Sequence, residues 1–120
     1  MKLLIADDDR ETAESLAELL ELFLAPLQVV LAFDGVQALE AATAGGSAFD
    51  AILTDIEMPR MDGINAALRI KSSLGRATPV LIALTGHVGI SKLGAITDAF
   101  DHVLVKPVKI DELVHLLRAL

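Results

Sequence analysis

Three aspartates stand in a row at Asp7, Asp8 and Asp9, a fourth stands at Asp55, and Thr85 and Lys106 follow later in the chain. Each position closes a short apolar run: residues 3–6 before the aspartates, 51–54 before Asp55, 80–84 before Thr85 and 103–105 before Lys106. If the runs are strands of one parallel sheet, these side chains meet beyond its carboxyl edge, where open α/β sheets build their sites. Carboxylates brought together repel one another, and a hard divalent cation relieves that. Mg²⁺ takes one or two carboxylates and keeps water or phosphate oxygens as its other ligands. A carboxylate beside such an ion can attack phosphorus and form an acyl phosphate. An ammonium and a hydroxyl are suited to the charge that then lies on the phosphoryl oxygens.

Taken singly, each residue has an ordinary explanation. An aspartate at a strand end commonly caps the next helix, and an acidic run suits a helix N-terminus through the dipole. Thr85-Gly86 has the form of a turn, and a lysine is usually a surface residue. Asp34 and Asp62, each followed by glycine, read as turn residues. His87, His102 and His115 have no metal-ligand spacing. The case for a site rests on order and placement together.

The elements that must position these residues can be read from periodicity. After the aspartates, Leu16, Leu19, Leu20 and Phe23 repeat at helical spacing; Asp8 with Glu11 has capping-box spacing, and Pro26 ends the helix. Residues 27–32 read as a second strand. A second helix opens at Asp34-Gly35 and closes at Gly45-Gly46. A loop with Pro59 and Gly63 follows the third strand, and Ile64, Ala67 and Leu68 begin a third helix. Between Gly86 and Phe100 the helical signal is poor, because Gly86, Gly89 and Gly94 each weaken a helix by roughly 1 kcal/mol relative to alanine; a short or mobile fourth helix is expected. Leu113, Leu116, Leu117 and Leu120 stripe the last one. The strands lack polar alternation, as strands covered on both faces should. The pattern predicts an α/β fold of five strand–helix units, with a parallel sheet covered on both faces.

Composition narrows the function. The chain has 120 residues, no cysteine, tryptophan or tyrosine, four phenylalanines and a net charge of −7. That length suits one domain with a core of its own. Disulfide and thiolate metal sites are excluded. The acidic balance argues against a duplex-binding surface, and the scarcity of aromatics against base stacking. The longest apolar stretch, 22–33, is interrupted by Pro26 and Gln28 and is too short to span a bilayer. The start lacks the form of a signal peptide. A cytoplasmic protein without nucleic-acid or membrane partners is expected.

At this point the sequence resembles the receiver domain of response regulators, across essentially its whole length, which implies a flavodoxin-like, doubly wound (βα)5 fold with a five-stranded parallel sheet in the order 2-1-3-4-5. The resemblance is carried by Leu3-Leu4-Ile5-Ala6-Asp7-Asp8, by Leu53-Thr54-Asp55-Ile56-Glu57-Met58-Pro59-Arg60-Met61-Asp62-Gly63, by Ala83-Leu84-Thr85-Gly86 and by Lys106-Pro107. The second of these is specific; the others gain weight from their order. The resemblance implies one receiver domain over residues 1–120, which takes a phosphoryl group from a histidine kinase phosphohistidine, or from a phosphotransfer protein, onto Asp55. It implies that Asp7 and Asp8 hold Mg²⁺, with Asp8 favoured as the direct ligand, and that Asp55 and the backbone carbonyl of Glu57 complete the protein ligands. Thr85 would be the switch hydroxyl, Lys106 the partner of Asp55 or its phosphate, and Lys106-Pro107 a cis peptide. The chain would catalyse only its own phosphorylation and dephosphorylation and would act on a downstream protein or attached domain, as a monomer or a weak phosphorylation-dependent dimer. It would stand alone or belong to a longer regulator or hybrid histidine kinase. The Thr85-Gly86 pair and Phe100-Asp101-His102 resemble the hybrid type.

Two departures fall on the region that relays the signal in this family. Val103 stands where a phenylalanine or tyrosine is usual, and the segment from Thr85 to Lys106 is one residue short. Val103 is also the one feature that favours a binding module of this fold that is never phosphorylated. A phosphatase of the haloacid dehalogenase type would use Asp7 and Asp9 as its Asp-x-Asp. That reading lacks the late acidic pair and leaves Asp55 and the Met58-Pro59 loop unexplained. A flavin binder of this fold would want the aromatic residues that are missing here.

Overall fold

The short apolar runs all become strands, each followed by a helix. The computed structural model describes residues 1–45, 48–86 and 90–120. The order is β1 (Lys2–Ala6), α1 (Arg10–Leu24), β2 (Gln28–Ala32), α2 (Gly35–Thr43), β3 (Ala51–Asp55), α3 (Gly63–Leu74), β4 (Val80–Thr85), α4 (Ile90–Ala99), β5 (His102–Val105) and α5 (Ile110–Arg118), with a 3₁₀ turn at Gly75–Ala77. The strands form one parallel sheet in the order β2-β1-β3-β4-β5, as expected. Closing of the second helix falls partly on Gly46, and the weak helical stretch partly on 87–89; both lie outside the described residues.

Side chains alternate across each strand, so the sheet has two cores. Leu4, Ile52 and Leu81 face the layer that includes Ala38, Ala67, Ile70 and Ile96. Leu3, Ile5, Leu53 and Ile82 face the other layer, with Ala13, Leu20, Leu113 and Leu117. Burying one such leucine or isoleucine contributes about 1.5–3 kcal/mol. A register slip of one residue would exchange the two faces. The registers are in phase, with Ile5 beside Leu31 and Leu53, and Leu53 beside Ile82.

Several expectations need correction. The strands are not all covered on both faces: β1, β3 and β4 are, but the edge strands β2 and β5 leave Val30 and Val105 exposed. In α1 the residues that seat the helix are Ala13, Ala17 and Leu20, whereas Leu19 and Phe23 are exposed. Small side chains at two of these positions let the helix approach the sheet, and Leu19 and Phe23 fall outside the seated face. Leu68 and Leu120 are likewise exposed. Asp9, not Asp8, caps α1, its side chain accepting from the N–H groups of Glu11 and Thr12. Asp34 and Asp62 are the N-caps of α2 and α3 rather than simple turn residues.

Candidate functional site

The carboxyl edge of the sheet brings the expected residues together. β1 delivers Asp7 and Asp8, β3 ends in Asp55, and β4 ends in Thr85. β5 stops one residue before Lys106, whose N–H donates to the Thr85 carbonyl at 2.7 Å and so extends the ladder. An open cleft of about 750 Å³ lies here, lined by Asp8, Asp55, Glu57, Met58, Pro59, Thr85, Gly86 and Lys106. Thr85 is buried in its wall. Lys106-Pro107 is cis, as is Ala25-Pro26.

Asp55 is held at both oxygens. Oδ1 accepts the Ile56 N–H at 2.9 Å, and Oδ2 lies 3.3 Å from Lys106 Nζ. The same ammonium is 3.7 Å from Asp7 Oδ2. Asp7 sits beneath the cleft, and its Oδ1 accepts the Asp9 N–H at 2.9 Å. Burial pushes the Asp7 carboxyl above its ordinary pKa; the Asp9 N–H and Lys106 oppose this, while Asp55 and Asp8 add to it. Asp9 goes the other way. The hydroxyl and N–H of Thr12, and then the Glu11 N–H, hold its carboxyl below the usual range. Asp9, to which the receiver resemblance assigns no role, both caps α1 and, through its N–H, fixes Asp7. The hint was present in Asp9-x-Glu11-Thr12, an aspartate two and three residues ahead of good first-turn positions.

Carboxylate oxygens of Asp7, Asp8 and Asp55 lie within 4.8 Å of one another. Three negative groups therefore face one ammonium, and the donors are all hard oxygens. That set fits a hard divalent cation with open positions for water and phosphate oxygens. Asp8 is exposed toward the cleft and Asp7 is not, which favours Asp8 for direct ligation. Glu57 lines the cleft.

Two glycines shape this corner by close approach. A β-carbon at Gly63 would overlap the carbonyl oxygen of Asp55, and one at Gly35 would overlap that of Met61. The start of α3 is thereby pressed against the backbone of Asp55, and the Gly63 N–H donates to the Ile56 carbonyl at 2.7 Å.

The family model described as the response regulator receiver domain matches residues 3–118. The chain belongs to that family. Among curated proteins, this receiver is 37% identical over 121 residues to "Response regulator MprA" of Mycobacterium avium, and 38% identical to that of Mycobacterium leprae. Each alignment covers all of this chain and half of the relative, so the receiver spans about half the length of these curated relatives. Among solved structures it is similar to a Francisella response regulator receiver domain, at 28% identity, TM-score 0.83 and coverage of 98% and 93%. It is also similar to the receiver domain of a sensor histidine kinase from Pseudomonas aeruginosa, at 27% identity, TM-score 0.85 and coverage of 98% and 94%. That structure has a magnesium ion coordinated in its active-site cleft. The similar structures thus include receivers of response regulators and of a sensor kinase, and they single out no hybrid type. The phosphatase and flavin-binder alternatives find no support.

Proposed function

We propose that Asp55 is the phosphoacceptor of this receiver, that Asp8, Asp55 and the Glu57 carbonyl hold Mg²⁺ with Asp7 behind them, and that Thr85 and Lys106 serve the phosphoryl group. The observation that carries this is Asp55 itself: it opens into the cleft with one oxygen fixed by the Ile56 N–H, the other 3.3 Å from an ammonium, and two further carboxylates close by. A carboxylate so held keeps one orientation for attack, which lowers the entropic part of the barrier. An Asp55 oxygen would form the new bond to phosphorus as the bond to the histidine nitrogen of the donor breaks, and the departing imidazole takes up a proton. Lys106 lies where it would offset charge on both Asp55 and the transferred group. Mg²⁺, when bound, would supply the remaining neutralisation of the phosphoryl oxygens. Thr85, the last residue of β4, is buried in the wall of the same cleft and carries a hydroxyl suited to the phosphoryl oxygens.

Residues 1–120 would act as one unit, receiving from a histidine kinase or a phosphotransfer protein in the cytoplasm. The acyl phosphate would shift a two-state equilibrium toward a form that a downstream protein, an attached domain or a second receiver binds. Incubation with a small phosphodonor and Mg²⁺, followed by intact-mass measurement, tests the assignment. The wild type should gain one phosphoryl group and Asp55→Asn none. Equal incorporation by Asp55→Asn would remove the assignment.

A further inference from the structure

Residues 56–62 connect β3 to α3; Glu57, Met58 and Pro59 among them line the cleft, and the loop's backbone is held in an uncommon way. Arg60 is the one non-glycine residue with positive φ among the described residues, at 66°. Side chains disfavour this region because Cβ crowds the carbonyl oxygen that follows. The Arg60 guanidinium lies 3.2 Å from Asp34 Oδ2. Asp34 is buried and is itself fixed, its Oδ1 accepting the Gln37 N–H at 2.7 Å to cap α2. One residue on, Gly35 leaves room for the Met61 carbonyl. Within the loop the Met61 N–H donates to the Pro59 carbonyl at 2.7 Å, so Arg60 sits at the tip of a tight turn.

Asp34 is joined to the other half of the site. It follows β2, which pairs with β1 so that Ala32 lies opposite Ala6. The Ala32 carbonyl accepts the Asp7 N–H at 3.0 Å. The carboxylate that grips Arg60 therefore stands on the corner of the sheet that presents Asp7 and Asp8. Two stretches far apart in sequence, the end of β1 and the loop that carries Glu57, are linked through this ion pair.

We propose that the Arg60–Asp34 pair is a positioning device for the cation site. It holds the 56–62 loop, and with it the Glu57 carbonyl, at the spacing from Asp8 and Asp55 that a small divalent cation requires. This inference rests on the Mg²⁺ reading given above. Neither residue is a ligand; both act through the backbone between them. Mg²⁺ demands near-ideal octahedral geometry, so a loop free to move away from the sheet corner loses affinity without loss of any ligand.

The test is a double-mutant cycle read by calorimetric titration of Mg²⁺ into the full chain. Asp34→Asn keeps a side chain able to cap α2 and removes the charge. Arg60→Met keeps much of the aliphatic stem. Each single change should raise the Mg²⁺ dissociation constant about threefold, as befits a pair whose arginine is 58% exposed. The double variant should also lose about threefold, whereas independent effects would multiply to about ninefold. Arg60→Lys should bind Mg²⁺ better than Arg60→Met. If Asp34→Asn does not fold, the contrast between Arg60→Met and Arg60→Lys carries the test, since Arg60 is at the surface. Wild-type affinity in both single variants, or effects that multiply, would overturn the proposal. A wild type that takes up no Mg²⁺ would overturn the site reading itself, and this inference with it.

Discussion

At the edge where the strands begin, Asp50 and Asp101 each clamp a neighbouring strand; at the edge where they end, Asp7, Asp8 and Asp55 crowd around one lysine. Asp50 gives its N–H to the Lys2 carbonyl and takes the Lys2 N–H on Oδ2, both at 2.8 Å. Asp101 does the same with Leu81, again at 2.8 Å. These carboxylates terminate the sheet by satisfying backbone donors that would otherwise lack a partner. At the other edge three carboxylates share one ammonium, and Asp7 is pushed toward its protonated form by burial, with Asp55 and Asp8 adding to it against the Asp9 N–H and Lys106. The same side chain is a brace where it stands alone against a backbone donor and a stored electrostatic cost where like charges are crowded together. Sites are commonly built from the second arrangement.

The comparison is sharpened first by removing one crowded carboxylate that faces the cleft. Asp8→Ala should raise the Mg²⁺ dissociation constant at least about tenfold in a calorimetric titration. Unchanged affinity would move the cation elsewhere, Asp9 being the first place to look.

Next comes a contrast of sign. Asp101→Ala should lower stability by about 1–2 kcal/mol, or several degrees in Tm, because the Leu81 N–H loses its acceptor. Asp7→Asn should do the opposite in the metal-free domain, by a smaller amount. The direction follows from linkage. Burial raises the native pKa of Asp7 above its ordinary 3.8, so in the window above 3.8 the native state holds a proton that the unfolded chain has released. The stability this confers is fully present below 3.8, falls as pH rises through the raised native value, and is gone above it. Asp7→Asn should flatten that slope in urea titrations across the acid range. Saturating Mg²⁺ should favour the wild type again, since a ligand that binds only the native state stabilises it. Destabilisation by Asp7→Asn in the metal-free form would break the contrast between the two edges.

How much of this could be read from the sequence depends on the kind of interaction. The five strand–helix units and the convergence of Asp7, Asp8, Asp55, Thr85 and Lys106 follow from apolar runs that end in polar residues, and the strand order from the family resemblance. The parallel topology makes every such end a neighbour of the others. The sequence puts the cap of α1 one residue early at Asp8, and it reads Asp34 and Asp62 as turn residues even though it opens the second helix at Asp34-Gly35, because a cap is defined by which backbone N–H groups are left over, and that depends on where the first helical turn begins. The Arg60–Asp34 pair was not legible, since it joins residues from two loops whose approach is set by Gly35 and Gly63. Both glycines read as turn formers, whereas their part here is to let one backbone pass close to another.

The smallest effect concerns the far side of the site. Val103 is partly buried against the cluster that includes Ile96, Ala99 and Phe100. A β-branched side chain has little rotamer freedom, so no ring swings here when the cleft is occupied. The response should instead be carried by the backbone from Gly86 to Phe100, part of which lies outside the described residues. Amide hydrogen exchange with and without a phosphate mimic and Mg²⁺ should show its largest protection change in that segment. Equal protection there, with a response confined to α5, would contradict this.

The central claim is that the crowded edge directs a phosphoryl group to one carboxylate, and chemical mapping tests it most directly. After treatment with a small phosphodonor and Mg²⁺, borohydride reduction converts an aspartyl phosphate to homoserine, which peptide sequencing by mass spectrometry locates. The account predicts homoserine at position 55 alone, and none when Mg²⁺ is chelated beforehand. Homoserine at position 7, 8 or 9, or conversion at 55 that is indifferent to Mg²⁺, would contradict it.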